Sequence, residues 1–232
     1  MKNINLDLDN IDKLYTSWRK PLPEPKLNYN NTALLIIDMQ YGDASMEYGL
    51  LKKRKNILNI SGIDYIEERL KIVIPNIQKL QSIFRKKNAE IIYTTVCSMT
   101  KDGRDRSTGY KDLNHHFLPQ SKEAEILKEI APLEDEMVFS KTTSSAFIST
   151  NLDYVLRNLG ILNLIVVGCY TGACVECSVR DAHGLGYRVI LVEDACFTYT
   201  KELHEISKIV LNNVYCIVKK TNDITSVENL LC

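Results

Sequence analysis

Residues 164–174 read Leu-Ile-Val-Val-Gly-Cys-Tyr-Thr-Gly-Ala-Cys: an aliphatic run, a glycine, and a turn that opens a helix over 173–185, ended by Gly186. The run shows no polar alternation, as expected of a strand covered on both faces in a parallel sheet. The sharp change from strand to helix sets Cys174 in the first helical turn. Unpaired N–H groups and the helix dipole stabilise a thiolate there. In open α/β sheets ligands bind just beyond the carboxyl ends of strands, so Cys174 is a candidate nucleophile.

The same pattern recurs on either side. Ala33-Leu34-Leu35-Ile36-Ile37 is a second continuous apolar run, and it delivers Asp38 at its end. A helical spacing of Ile66, Leu70, Val73, Ile77, Leu80 and Ile83 follows over 64–87, with Pro75 marking a kink or restart. Residues 90–96 read as a strand, and Met137-Val138-Phe139 as a short strand ahead of Lys141. Thr150 and Asp153 have capping-box spacing before a helix closed by Gly160. Val189–Val192 reads as a strand, 201–211 as a helix and 214–218 as the last strand. Strands and helices alternating at this spacing make βαβ crossovers and one mostly parallel sheet.

Two stretches depart from that rhythm. Residues 1–31 are polar, with Pro21, Pro23 and Pro25 around a lone Trp18, and read as an arm preceding a single domain over 32–232. Residues 97–133 are long and polar and hold Arg104, Asp105, Arg106, His115 and His116, with a short helix expected over 123–130. Such a segment is a lid or binding loop, or surface decoration.

The chain has 232 residues, 45% hydrophobic and 25% charged, the balance of a globular protein. Lys+Arg and Asp+Glu both count 29, so no bulk attraction draws it to nucleic acid or anionic lipid. Seven cysteines, with no basic-then-apolar segment before them, argue against a disulfide framework and for a reducing cytoplasm. The longest apolar stretch, 161–169, is broken by Asn163 and falls short of the roughly 20 residues a bilayer span needs.

Taken singly, the three candidates have bland readings: Asp38 as a helix cap, Lys141 as a solvated cation, Cys174 as a small buried apolar residue. Cys169, Cys174 and Cys177 also spell C-x4-C-x2-C, an iron–sulfur spacing, and Cys174 with Cys177 spells the C-x-x-C of a redox dithiol. A buried strand running straight into a helix cannot wrap a cluster as a ligand loop does. The dithiol of a thioredoxin unit, in turn, usually follows its first strand.

Read together, the motifs are more specific. Thr32–Gln40, Lys141–Phe147, Asn151–Ile161, Gly168–Val175, Arg180-Asp-Ala182 and Gly186–Ala195 resemble the isochorismatase-like cysteine hydrolase superfamily. The resemblance implies a three-layer αβα fold around a six-stranded, mostly parallel sheet with Rossmann-like topology. It implies an Asp38–Lys141–Cys174 triad that cleaves a C–N bond through a thioester. It also implies a non-proline cis peptide at Cys169–Tyr170, with the N–H groups of Tyr170 and Cys174 facing an oxyanion, and a homo-oligomer, dimer or tetramer. Nicotinamidases of the superfamily carry a histidine-built metal site, but residues 39–114 contain no histidine, so neither metal nor cofactor is expected. The nearest likeness is to the branch acting on small amide, carbamoyl and ureido compounds. An isochorismatase-type vinyl-ether hydrolase and a non-enzymatic thiol-redox or binding protein stand as alternatives. Gln40, Tyr41, Arg104, Phe147 and Tyr170 flank triad positions or lie on the candidate lid, which makes them candidate substrate contacts.

Overall fold

The computed structural model describes residues 7–17, 20–57 and 63–225. Among them, strands β1 (Thr32–Ile37), β2 (Ile91–Val96), β3 (Met137–Lys141), β4 (Asn163–Cys169), β5 (Arg188–Phe197) and β6 (Ile217–Lys219) form one sheet. Their order is β3-β2-β1-β4-β5-β6 and every pairing is parallel. The helices are α1 (Leu8–Thr16), α2 (Tyr41–Ala44), α3 (Gly49–Ile57), α4 (Ile63–Lys86), α5 (Thr108–Asp112), α6 (Leu152–Asn158), α7 (Glu176–Gly184), α8 (Lys201–Leu211) and α9 (Thr221–Thr225).

From β1 the chain winds outward to β2 and β3, then returns to β4 on the other side of β1 and winds outward again. Right-handed crossovers running in opposite directions put α4 on one face of the sheet and α7 and α8 on the other. Strands β1, β2 and β4 are buried along their whole length, as their unbroken apolar runs require. The winding reverses between β1 and β4, which is where a crevice opens at the carboxyl ends of the strands. Asp38 and the 170–174 turn both emerge there. Among the described residues no helix is long and apolar enough to cross a membrane.

Several elements differ from the sequence expectation, each for a local reason. The arm is not irregular throughout: Leu8–Thr16 is helical, with Asp7 accepting from the Asn10 N–H at 3.1 Å, while Trp18 lies outside the described residues. The helix expected over 123–130 is replaced by single 3-10 turns at Lys122–Ala124 and Lys128–Ile130. Between them the backbone pairs across the chain, Tyr41 N–H donating to Glu125 O at 2.9 Å and Leu127 N–H to Met39 O at 3.0 Å. Those bonds take the groups a helix would have used. The Thr150–Asp153 capping box does not form either. Thr150 Oγ1 accepts from Leu152 N–H at 3.0 Å, but the Asp153 carboxylate is taken by Arg157 at 3.0 Å and by Tyr187 at 2.8 Å. Helix α4 runs unbroken through Pro75, and the last strand starts at Ile217 because Tyr215 and Cys216 still donate to Leu211 O at the end of α8.

Gly168 is where β4 presses on β1. Its φ is +117°, and a Cβ there would sit 2.1 Å from Ile37 O. Gly168→Ala is therefore expected to cost about 3 kcal/mol, through both the left-handed backbone and the collision. A urea titration checks this; an unchanged midpoint would show that the two strands can separate freely at this point.

Candidate active site

Asp38 leaves β1 with φ +54°, a conformation short polar side chains tolerate better than others. It is pinned on all sides. Its N–H donates to Thr94 O at 3.0 Å, its carbonyl accepts from Cys169 Sγ at 3.1 Å, and Thr94 Oγ1 donates to Oδ1 at 2.9 Å. The register Ile37↔Thr94 is what brings this threonine alongside the carboxylate.

Lys141 ends β3, two strands away from β1, a gap of about 10 Å at the usual strand spacing. Only a long side chain bridges that, and the lysine does so, its Nζ meeting Asp38 Oδ2 at 2.8 Å with the whole residue at 0% exposure. A buried ammonium needs such compensation. Two further oxygens complete its surroundings, Thr143 O at 3.1 Å and Tyr110 Oη at 3.3 Å. Burial opposes the Lys141 charge, but Asp38 and the neighbouring thiol and phenol outweigh it and hold its pKa well above that of an ordinary lysine. Asp38 Oδ2 has this ion pair and no directed hydrogen bond from the protein, leaving acceptor capacity on that oxygen.

Cys174 lies in a π-type turn, Thr171–Val175, that leads into α7. The Val175 N–H reaches back five residues to Tyr170 O at 3.3 Å, and the Cys169–Tyr170 peptide bond is cis. Ser178 Oγ donates to Cys174 O at 2.7 Å and accepts from Ala146 N–H at 3.0 Å, tying this turn to the loop after Lys141. From the other side, His204 Nδ1 meets Thr171 Oγ1 at 2.9 Å. Cys174 is 5% exposed. Burial pushes its thiol up to about 12; the Lys141 charge and a hydrogen bond from Tyr110 pull the other way, and Asp38 adds to the rise. The resting sulfur is therefore a neutral thiol.

Three residues that the sequence reading did not single out as chemical stand against this cluster. Tyr110, on α5, places its Oη 3.3 Å from Cys174 Sγ. His115 packs its ring on that of Tyr110 at 4.7 Å and has Nε2 3.3 Å from Asp43 Oδ1. Asp43 is fully buried on α2, and burial raises its pKa against the lowering effect of His115. His115 lies on the segment whose length and polarity marked it as a lid or binding loop; Asp43 went unremarked, and Tyr110 sits in a polar stretch without periodicity.

The candidate substrate contacts each have partners within the protein. The Gln40 amide donates to Val96 O at 3.0 Å and Glu123 O at 2.9 Å and accepts from Val96 N–H at 2.6 Å, fastening β1 to β2 and to the 122–124 turn. Tyr41 lies under Lys122, whose ammonium is 4.0 Å from its ring centre. Phe147 packs on Tyr187 at 5.9 Å. Tyr170 stacks on Tyr199 at 4.4 Å and donates to Asp43 O at 2.7 Å. Arg104 is on the surface, paired with Asp102 at 3.1 Å, and Arg180 pairs with Glu176 at 2.8 Å.

Fold and site together define a doubly wound α/β protein whose reactive groups, a thiol beside a buried carboxylate–ammonium pair, gather at the topological switch point. The chain belongs to the isochorismatase family: residues 32–223 match the isochorismatase domain. It is 30% identical over 167 residues to an N-carbamoylsarcosine amidase of Arthrobacter sp, an overlap of 70% of this chain and 61% of that protein. The chain thus spans less than two thirds of that relative's length. It is 29% identical over 182 residues to the ureidoacrylate amidohydrolase RutB of Acinetobacter baylyi, covering 72% of this chain and 70% of that one. Among solved structures, a cysteine hydrolase of Pseudomonas syringae pv. phaseolicola shares the fold with TM-score 0.75 at 24% identity, covering 90% of this chain and 97% of that one. The N-carbamoylsarcosine amidase of Thermoplasma acidophilum does so with TM-score 0.66 at 23% identity, covering 83% and 97%.

Proposed function

We propose that this protein hydrolyses a C–N bond of a small amide, carbamoyl or ureido compound, with Cys174 as nucleophile, Asp38 as general acid and base, and Lys141 holding both in place. The observation that carries this reading is the buried Lys141–Asp38 pair at 2.8 Å beside a thiol that is protonated at rest. The names of the amidase and amidohydrolase relatives support the substrate class.

In the first half-reaction the Cys174 S–H proton passes to Asp38 as Sγ bonds to the substrate carbonyl carbon, and the carbonyl becomes an oxyanion. The N–H groups of Tyr170 and Cys174 would receive that oxyanion at the start of the helix. Collapse breaks the C–N bond, the proton on Asp38 moves to the departing nitrogen, and an acyl or carbamoyl thioester remains. Water then gives a proton to Asp38 as its oxygen attacks the thioester, the C–S bond breaks, and the proton returns to sulfur. Lys141 donates no proton in this sequence; its charge lies against the Asp38 carboxylate and favours the thiolate.

Incubating the purified protein with simple amides, carbamoyl amino acids and small ureas is expected to release ammonia from at least one class. Pyruvate from a vinyl ether with no ammonia from any nitrogen compound would replace this reading with the vinyl-ether one. Paired loss of the Cys174 and Cys177 thiols under mild oxidant with no turnover would point to a redox protein instead.

A further inference from the structure

We propose that Tyr110 is a fourth catalytic residue, the hydrogen-bond donor that carries the positive field of Lys141 to the sulfur of Cys174. The proposal rests on the reading of Cys174 as nucleophile. The ammonium of Lys141 donates to Thr143 O at 3.1 Å and Tyr110 Oη at 3.3 Å and stands in ion-pair contact with Asp38 Oδ2 at 2.8 Å. Tyr110 links it to the sulfur. Tyr110 Oη accepts from the lysine and lies 3.3 Å from Cys174 Sγ, a contact in which either atom can donate; once the sulfur has lost its proton, the phenol is the donor. The phenol is thus polarised by an ammonium on one side and stabilises a thiolate on the other.

The protein fixes this tyrosine from several directions. Ser107 Oγ accepts from the Tyr110 N–H at 3.3 Å, and the Ser107 N–H donates to Thr142 O at 3.0 Å, anchoring α5 beside Lys141. The His115 N–H donates to Tyr110 O at 2.9 Å. Val96, Tyr110 and Phe117 form a small apolar cluster apart from the main core. The charged and titratable groups around the phenol are Lys141 at the end of β3, Cys174 in the turn after β4, Asp38 after β1, and His115 with Asp43 across it. Burial raises the phenol's own pKa far above its ordinary value, so Tyr110 keeps its proton throughout the neutral range. When the Cys174 proton moves to Asp38, Tyr110 gives none up; its O–H shortens onto the sulfur and releases it again when the C–S bond forms.

Two variants test this by the rate at which iodoacetamide alkylates Cys174, followed by peptide mass spectrometry across a pH series. Tyr110→Phe keeps the ring and removes the donor. Alkylation at pH 7–9 should fall about tenfold, since one unit in thiol pKa is a tenfold change in thiolate fraction. A fluorotyrosine at position 110, a stronger donor of nearly the same shape, should raise that rate. If Tyr110 merely covered the sulfur, Tyr110→Phe would leave the rate unchanged or raise it, and that outcome overturns the proposal. Alkylation reads the thiol without turnover, so this failure is distinct from an absence of ammonia release, which would instead sink the hydrolase reading.

Discussion

Cys174→Ala is expected to lower turnover by at least about a thousandfold while the protein stays folded, because under the proposed mechanism the whole pathway runs through that sulfur. The substitution deletes one buried sulfur next to Tyr110 and leaves a cavity smaller than a water molecule. A thermal melt near the wild-type value alongside lost ammonia release is the anticipated pair of results. Intact mass spectrometry during turnover adds a positive sign: the wild type should gain the mass of the acyl or carbamoyl group, and the variant should not. Turnover that survives in Cys174→Ala would exclude a thioester and leave water activated by Asp38 as the attacking species. Stability against pH offers an independent check. The folded-state thiol is raised to about 12 from an ordinary value near 9, so the neutral thiol's contribution is complete below about 9 and is lost as pH rises toward 12. The wild type should therefore lose more stability over that alkaline window than Cys174→Ala does.

The parts of this site that the sequence makes legible are those fixed by strand ends. Unbroken apolar runs announce buried parallel strands, and the residue after each run, Asp38 or Lys141, or the turn holding Cys174, falls at the carboxyl edge by the geometry of the fold alone. What a single sequence cannot supply is which strands lie side by side. Lys141 meets Asp38 only because β3 is two places from β1, and Thr94 reaches the carboxylate only through the Ile37↔Thr94 register. Tyr110 was invisible for a different reason. Its segment takes its shape from bonds made elsewhere, to Thr142 O and from His115, and nothing in its own spacing reports them. The failed helix over 123–130 belongs to the same category, since a strand-like pairing with residues 39–41 overrode its local pattern. Arg104 is a different case: its position on a candidate lid made it a candidate substrate contact, and its side chain pairs with Asp102, two residues away, at the surface.

Lys141→Met separates what the ion pair does for the fold from what it does for catalysis. Methionine fills much of the lysine's apolar stem, so the main change is the stranding of a buried Asp38 carboxylate without its cation. Breaking one side of such a pair typically costs about 3–5 kcal/mol, and the denaturation midpoint in urea should fall accordingly. Asp38→Asn is expected to destabilise as well, by leaving the Lys141 ammonium buried without its counter-charge. The double variant, Lys141→Met with Asp38→Asn, removes both charges and should recover much of the loss, because two buried charges are costly to desolvate in the first place. Activity should not follow that recovery: all three variants should remain at least about a thousandfold impaired, since none retains both the base and the charge that favours the thiolate. A double variant destabilised by the sum of the two singles would mean the two side chains act independently, and a single lysine variant with wild-type stability would mean the 2.8 Å contact contributes nothing to folding.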